Sequence, residues 1–405
     1  MKKARVRKIF FALLIGVCVS YPDVTPKVFA HTKGISLSRY GLVDISWTGN
    51  IAYVNFSDYE EGFNPFKIGD RHERGLNLTS FDLSLSQDVY QYNAKWALFL
   101  AFERDSAGIE EAFILFHKLP AYLQFKIGNF RANFGKINQY HDHEWIFADP
   151  PLITTFLLGV DGIHNIGAEL NFQPPTPIFT EFSVDIMRGP FDFFTFEPNT
   201  DPIFGGGSFD DYIVLSRATT FFDLTEHSNL EIGASLGGGR NKEGTNDQTI
   251  IYGFDWTYQY KPRAFNPYLR WTTEFYWANR ENPRIFRFDR TRPTECTSDP
   301  ILCSFIFEGN DTVGGMYTEI NYRFSYLFDV NFRFDYVGIP QGEEDRQQRF
   351  TVGLRHFFNP VSRVNFQYEY NAESGQDKAY STFIVQFNIG GGTVTPGLGK
   401  FYNLF

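Results

Sequence analysis

The chain is poor in the residues and patterns that mark most alternative classes. It holds three cysteines and three methionines in 405 residues. Beyond its first thirty residues it has no run of the roughly eighteen apolar residues that a membrane helix needs, which excludes a helical membrane protein. Basic residues are scarce, with 37 Lys and Arg against 47 Asp and Glu. That balance excludes a nucleic-acid partner, which requires a basic surface. H-E-x-x-H is absent, and the G-x-S-x-G match Gly233–Gly237 falls inside an expected strand rather than at a strand-to-helix turn, so no local signature supports catalysis and no enzyme is expected. The glycine triplets Gly205–Gly207 and Gly237–Gly239 are not followed by Lys-Ser/Thr, as a phosphate loop would be.

What is present begins with an export signal. MKKARVRK carries five positive charges ahead of the apolar run Ile9–Val19, and Val28-Phe29-Ala30 offers a small-residue cleavage site. Residues 1–30 are therefore expected to be a signal peptide and 31–405 the mature chain. Its removal takes six of the 37 basic and one of the 47 acidic residues, leaving 31 against 46 and a formal charge of −15. The two remaining cysteines, Cys296 and Cys303, form an even pair in an exported chain, and a disulfide between them is expected.

Aromatic residues make up 18% of the chain, with 46 Phe, yet mean hydropathy is negative. Alternation reconciles the two. In DVNFRFDY, Val330, Phe332, Phe334 and Tyr336 share one strand face, while Asn331, Arg333 and Asp335 share the other; RVNFQYEY repeats the plan. Sixteen such segments run from 40–56 to 379–389, the first readable as one bent strand or two short ones. Long connections follow the odd segments and short, proline-marked ones follow the even segments, as in KLP, QPPTP and NP. This predicts an all-β fold, a transmembrane antiparallel β-barrel of about sixteen strands, with long outer loops, short periplasmic turns and apolar residues facing lipid. Sixteen strands leave room for an aqueous channel. The expected location is the cell outer membrane, with outer-membrane lipid and the barrel assembly machinery as partners.

The connection 132–163 carries the densest polar cluster, His141, Asp142, His143 and Glu144. Two His at i, i+2 can reach one metal, with zinc the ion that such nitrogen and oxygen ligands suit, and Asp142 or Glu144 can add an oxygen. The plainer alternative is a solvated polar loop tip that binds nothing, and zinc is the one cofactor the sequence raises. Glu110-Glu111 resemble paired carboxylates, but neighbours on a regular strand point to opposite faces. Alternation aims Lys126, Glu169, Asp185, Arg270, Glu274, Glu319, Arg323, Arg333, Asp335, Arg355 and Glu369 into the lumen, with Asp82, Asp88, Glu103, Glu111, Glu181, Glu231 and Asp255 adding acid and Lys95 and Arg217 base. Acid exceeds base, which favours cations, unless the charges pair across neighbouring strands.

The segment Gly108–Ile153 resembles porin-like Gram-negative outer-membrane barrels related to the phosphate-selective porins: an acidic pair before a strand, a Leu-Pro turn, then N-F-G and a His-containing loop ending in A-D-P-P. FGKIN and HDHEW look closer still to barrels linked to zinc-responsive regulation and often labelled TonB-dependent receptors, although the short stretch ahead of the first expected strand means that no plug domain is expected. The resemblance implies passive passage of small hydrophilic solutes or ions. It also implies a third loop that folds inward as a constriction of Arg131, Lys136, Asn138, His141, Asp142, His143 and Glu144. The family's anion-selective constriction is rich in Lys and Arg, and here only Arg131 and Lys136 precede the His cluster. The expected function is thus a mildly cation-preferring porin, a homotrimer as barrels of this size commonly are. The alternative is a barrel whose loop captures a specific solute or divalent metal.

Overall fold

The computed structural model describes residues 35–36, 42–56, 74–104, 106–159, 161–189, 203–205, 211–241, 246–262, 267–282, 285–288, 304–307, 311–339, 346–373 and 379–392. The expected signal peptide and both Cys296 and Cys303 lie outside the described residues.

Sixteen antiparallel strands form one closed barrel: β1 (Leu42–Phe56), β2 (Gly75–Val89), β3 (Ala94–Phe102), β4 (Ala107–Leu119), β5 (Leu123–Arg131), β6 (His164–Phe172), β7 (Phe179–Arg188), β8 (Tyr212–Thr225), β9 (Ser228–Arg240), β10 (Gln248–Tyr260), β11 (Tyr268–Arg280), β12 (Asp311–Arg323), β13 (Phe328–Ile339), β14 (Gln347–Asn359), β15 (Ser362–Glu373) and β16 (Tyr380–Gly392). Each strand pairs with its sequence neighbours, and β16 closes on β1 from Thr382↔Phe56 to Gly392↔Ser46. The two-residue strand Ile35–Ser36 adds to β1, and a separate hairpin, Ile285–Phe288 with Ser304–Phe307, lies between β11 and β12 in the chain. The first segment is one strand, and its pairing with β2 shifts register at Asn50/Ile51. No helix among the described residues is long and apolar enough to cross a membrane.

The period-2 pattern becomes two unlike walls. Outward positions expose large apolar side chains, among them Tyr53, Ile127, Leu170, Trp277, Phe332 and Tyr368. A water-soluble surface does not carry so continuous an apolar band. Inward positions form polar rows such as Glu319↔Arg333↔Thr351↔Glu369↔Thr382.

Alternation breaks down in one sector of the inner wall, where Ile213 and Leu215 of β8, Ile251 of β10, Val313 of β12 and Val337 of β13 are buried. They meet the connection between β5 and β6, which folds inside the barrel and places Phe134, Ile137, Leu152, Ile153, Leu157 and Leu158 against them. Full burial of such a side chain contributes roughly 1.5–3 kcal/mol. That gain holds the loop inward rather than across the rim. The loop is built from two single 3-10 turns, Ile137–Gln139 and Asp142–Glu144, and one helix, α1 (Leu152–Leu158). Pro150-Pro151 precede α1, and Gly159, at φ 87°, ends it.

Candidate functional site: the loop inside the barrel

The loop touches the wall nearly all the way round, and inward-facing side chains accept its backbone N–H groups. Asp185 of β7 accepts from Asn133 at 2.6 Å, and Ser235 of β9 accepts from Gly135 at 2.9 Å. Glu274 of β11 takes the N–H groups of both Lys136 and Ile137, at 2.9 and 2.8 Å, along with the hydroxyls of Tyr276 and Tyr317. Gln367 of β15 accepts from Ala148 at 2.8 Å and Asp335 of β13 from Leu152 at 3.0 Å. From β15, Arg363 donates to the carbonyls of His143 and Trp145. Asn138 ties the two ends of the loop together. Its amide nitrogen donates to the carbonyls of Ala132 and Ile163, and its oxygen accepts the N–H of Ile163 at 2.6 Å.

The residues expected at the constriction divide among several jobs. Arg131 ends β5 and pairs with Glu110 while donating to the carbonyl of Asp161. The Lys136 ammonium lies 2.7 Å from Glu231 of β9. His141 is clamped between two carboxylates, with Nε2 2.7 Å from Glu111 and Nδ1 2.9 Å from Glu110, and its ring stacks on Phe99 at 4.9 Å. Glu144 folds back to accept the N–H of His141 at 2.9 Å, capping the Asp142–Glu144 turn.

The reading of Glu110 and Glu111 as facing opposite ways is corrected by the structure. The pairing of β3 with β4 jumps from Phe99↔Glu111 to Leu100↔Ile109, leaving Glu110 as an extra residue. Such a bulge breaks the alternation locally, and both carboxylates reach His141. Sequence alone offers no local mark of it beyond the charged pair at a strand end.

His143 stacks on His141 with ring centroids 5.6 Å apart, but it faces a different set. Its Nδ1 lies 3.4 Å from Asp82 of β2 and 3.5 Å from Asp142. Asp82, Asp142 and His143 place ligand-type atoms within 4.8 Å of one another, and His141 is not part of this group. Beside them a small cleft opens between the loop and β1–β4, lined by Ser46, Thr48, Ser84, Phe99, Asp82, Glu110 and His143.

Burial alone would drive the protons off both imidazoles, but the carboxylates outweigh it. Glu110 and Glu111 hold His141 well above the usual imidazole range, and Asp142 and Asp82 bring His143 up to about 9. Burial pushes the Glu144 carboxyl up and the Tyr140 phenol well up.

Glu103, expected in the lumen, lies exposed in the turn after β3, whereas most of the other expected charges are paired on the inner face. Lys126 meets Glu169 at 2.6 Å and Arg270 meets Glu319 at 3.4 Å. The Arg355 guanidinium grips Asp329 at 2.8 and 2.7 Å, with Arg323 on the same carboxylate at 3.3 Å. Arg333 pairs with Asp335 at 2.8 Å and donates to the carbonyl of Asp149, while Glu369 lies 3.7 Å from Arg349. Arg349, Asp329 and Arg363 were not among the residues singled out from sequence, although the alternation of their strands places them inward.

No family model matches the chain. A relative from Aquifex aeolicus, described as an uncharacterized protein, is 26% identical over 373 residues, 83% of this chain and 73% of that one. Among solved structures, the trimer form of the outer-membrane protein OmpT of Vibrio cholerae superposes with a TM-score of 0.52 at 8% identity, covering 86% of this chain and 99% of that one. The fold is porin-like. An anion-selective porin from Comamonas acidovorans gives a TM-score of 0.51 at 10% identity, over 86% of this chain and 99% of that one. At these identities the likeness is one of fold alone.

Proposed function

We propose that the protein is an outer-membrane channel that passes small hydrophilic solutes or ions by diffusion, with the inward loop as its constriction. The observation that carries this reading is a closed barrel, apolar outside and polar inside, with a loop folded into it. No chemistry is assigned to it. The fold shared with a trimeric outer-membrane protein and with a porin supports the reading, as does the expected signal peptide over 1–30. A homotrimer in outer-membrane lipid, inserted by the barrel assembly machinery, is the proposed state.

The proposed cation preference is mild for a physical reason. The acid excess of the inner wall is largely engaged: Glu169, Asp329, Asp335 and Glu369 face Lys or Arg, while Asp185 and Glu274 hold loop N–H groups. Field along the route then comes chiefly from the carboxylates Asp82 and Asp142 at the cleft, beside His143. Planar-bilayer recording tests both parts. A defined conductance step with a reversal potential displaced modestly toward the cation is expected; a protein that inserts without conducting ends the channel reading, and an anion-directed potential ends the charge argument.

A further inference from the structure

We propose that Asp82, Asp142 and His143 form a binding site for one divalent metal ion of the zinc type, tying the loop to strand β2 at the mouth of the cleft. The sequence pairs His141 with His143 as ligands; the structure separates them. The nitrogens of His141 already lie 2.7 and 2.9 Å from Glu111 and Glu110. His143 is 8% exposed, and its buried Nδ1 makes no hydrogen bond and stands 3.4 and 3.5 Å from two carboxylates of different parts of the chain.

The distances separate this arrangement from a simple ion pair. Charge-assisted hydrogen bonds bring nitrogen and oxygen to about 2.7–2.9 Å, as His141 does with Glu111 at 2.7 Å and Glu110 at 2.9 Å. His143 Nδ1 stands at 3.4 and 3.5 Å from its two carboxylate oxygens. A tetrahedral ion with bonds of about 2.0–2.2 Å sets its ligand atoms about 3.3–3.6 Å apart, the edge of the coordination tetrahedron. Two of the three edges match that spacing. One imidazole nitrogen with two carboxylate oxygens is a borderline ligand set, suited to zinc and poor for calcium, which takes oxygen ligands only. A fourth position would face the cleft, where Ser46, Ser84 and Glu110 line the wall. Ring orientation is already fixed by stacking on His141, and Asp82 is held by the hydroxyl of Ser80 at 3.1 Å.

Its consequence for passage rests on the channel reading, whereas binding does not. The test uses the full-length protein in detergent, stripped by chelator and titrated with Zn²⁺, with Co²⁺ as a spectroscopic probe and Ca²⁺ as a control. Saturable binding of one ion per chain is expected, with the visible band of tetrahedral Co²⁺ and little response to Ca²⁺. His143→Ala and Asp82→Asn should each weaken Zn²⁺ binding at least tenfold. Heat-modifiable migration on gels checks that each variant is folded, and Asp142→Asn decides the matter if His143→Ala is not. Absence of saturable binding in the native protein, or unchanged affinity in the folded variants, overturns the site. Conductance recorded with and without Zn²⁺ is read separately: a channel that conducts but does not bind Zn²⁺ rejects the site alone, and binding without conductance rejects the channel alone.

Discussion

Asn138 pins the loop's first turn to its two ends: its three bonds reach Ala132 and Ile163, which already meet beside the paired ends of β5 and β6. Asn138→Ala strands buried donors and acceptors, each costing roughly 1–3 kcal/mol. The loop should become sensitive to protease while the barrel keeps its heat-resistant mobility. Gly162 is its complement: at φ +69° a side chain is strained, and a Cβ there would stand 2.1 Å from Asn138 Oδ1. Gly162→Ala should reproduce the Asn138→Ala phenotype, checked by the same digestion. The histidines give the loop a pH dependence. Both are raised in the folded state, so their contribution is complete below the ordinary imidazole value near 6.5 and is lost as pH climbs through the folded value, about 9 for His143 and well above the ordinary value for His141. Hydrogen exchange of the loop amides should therefore quicken at alkaline pH, and His141→Gln should remove most of that change.

The loop as an element depends on carboxylates of the wall, above all Glu274. Glu274→Ala frees two loop N–H groups and two tyrosine hydroxyls at once, and the expected result is a larger or noisier single-channel conductance; an unchanged step would separate the loop from the current path. Much of this scale was legible from the residues. Alternation and turn chemistry place all sixteen strands, since each strand's two faces meet opposite solvents and so leave opposite residue types. Loop seating was harder to read. Its signal lay in outer strand ends that lose alternation, such as Tyr212-Ile213-Val214-Leu215 and Ile250-Ile251: an apolar residue on the wet face calls for an apolar partner, which only a folded-in segment supplies. The bulge at Glu110 left no such trace, because one extra residue changes facing without changing composition.

For the whole molecule, the outward apolar wall predicts detergent or lipid dependence, and the expected leader predicts a mature N-terminus near residue 31, which N-terminal sequencing of exported protein checks. Charge pairing inside predicts that raising salt will erode the small cation preference quickly, since what remains comes from a few groups at the cleft. The circumferential anchoring of the loop also sets an order in time. Its partners sit on β2, β4, β7, β9, β11, β13 and β15, which are far apart in the chain and converge only when β16 meets β1. Before that seam forms, Phe134, Ile153 and Leu157 have no complete surface to cover them. Loop protection from protease is therefore a late event of biogenesis, following closure of the seam, and can serve as a clock for completed assembly.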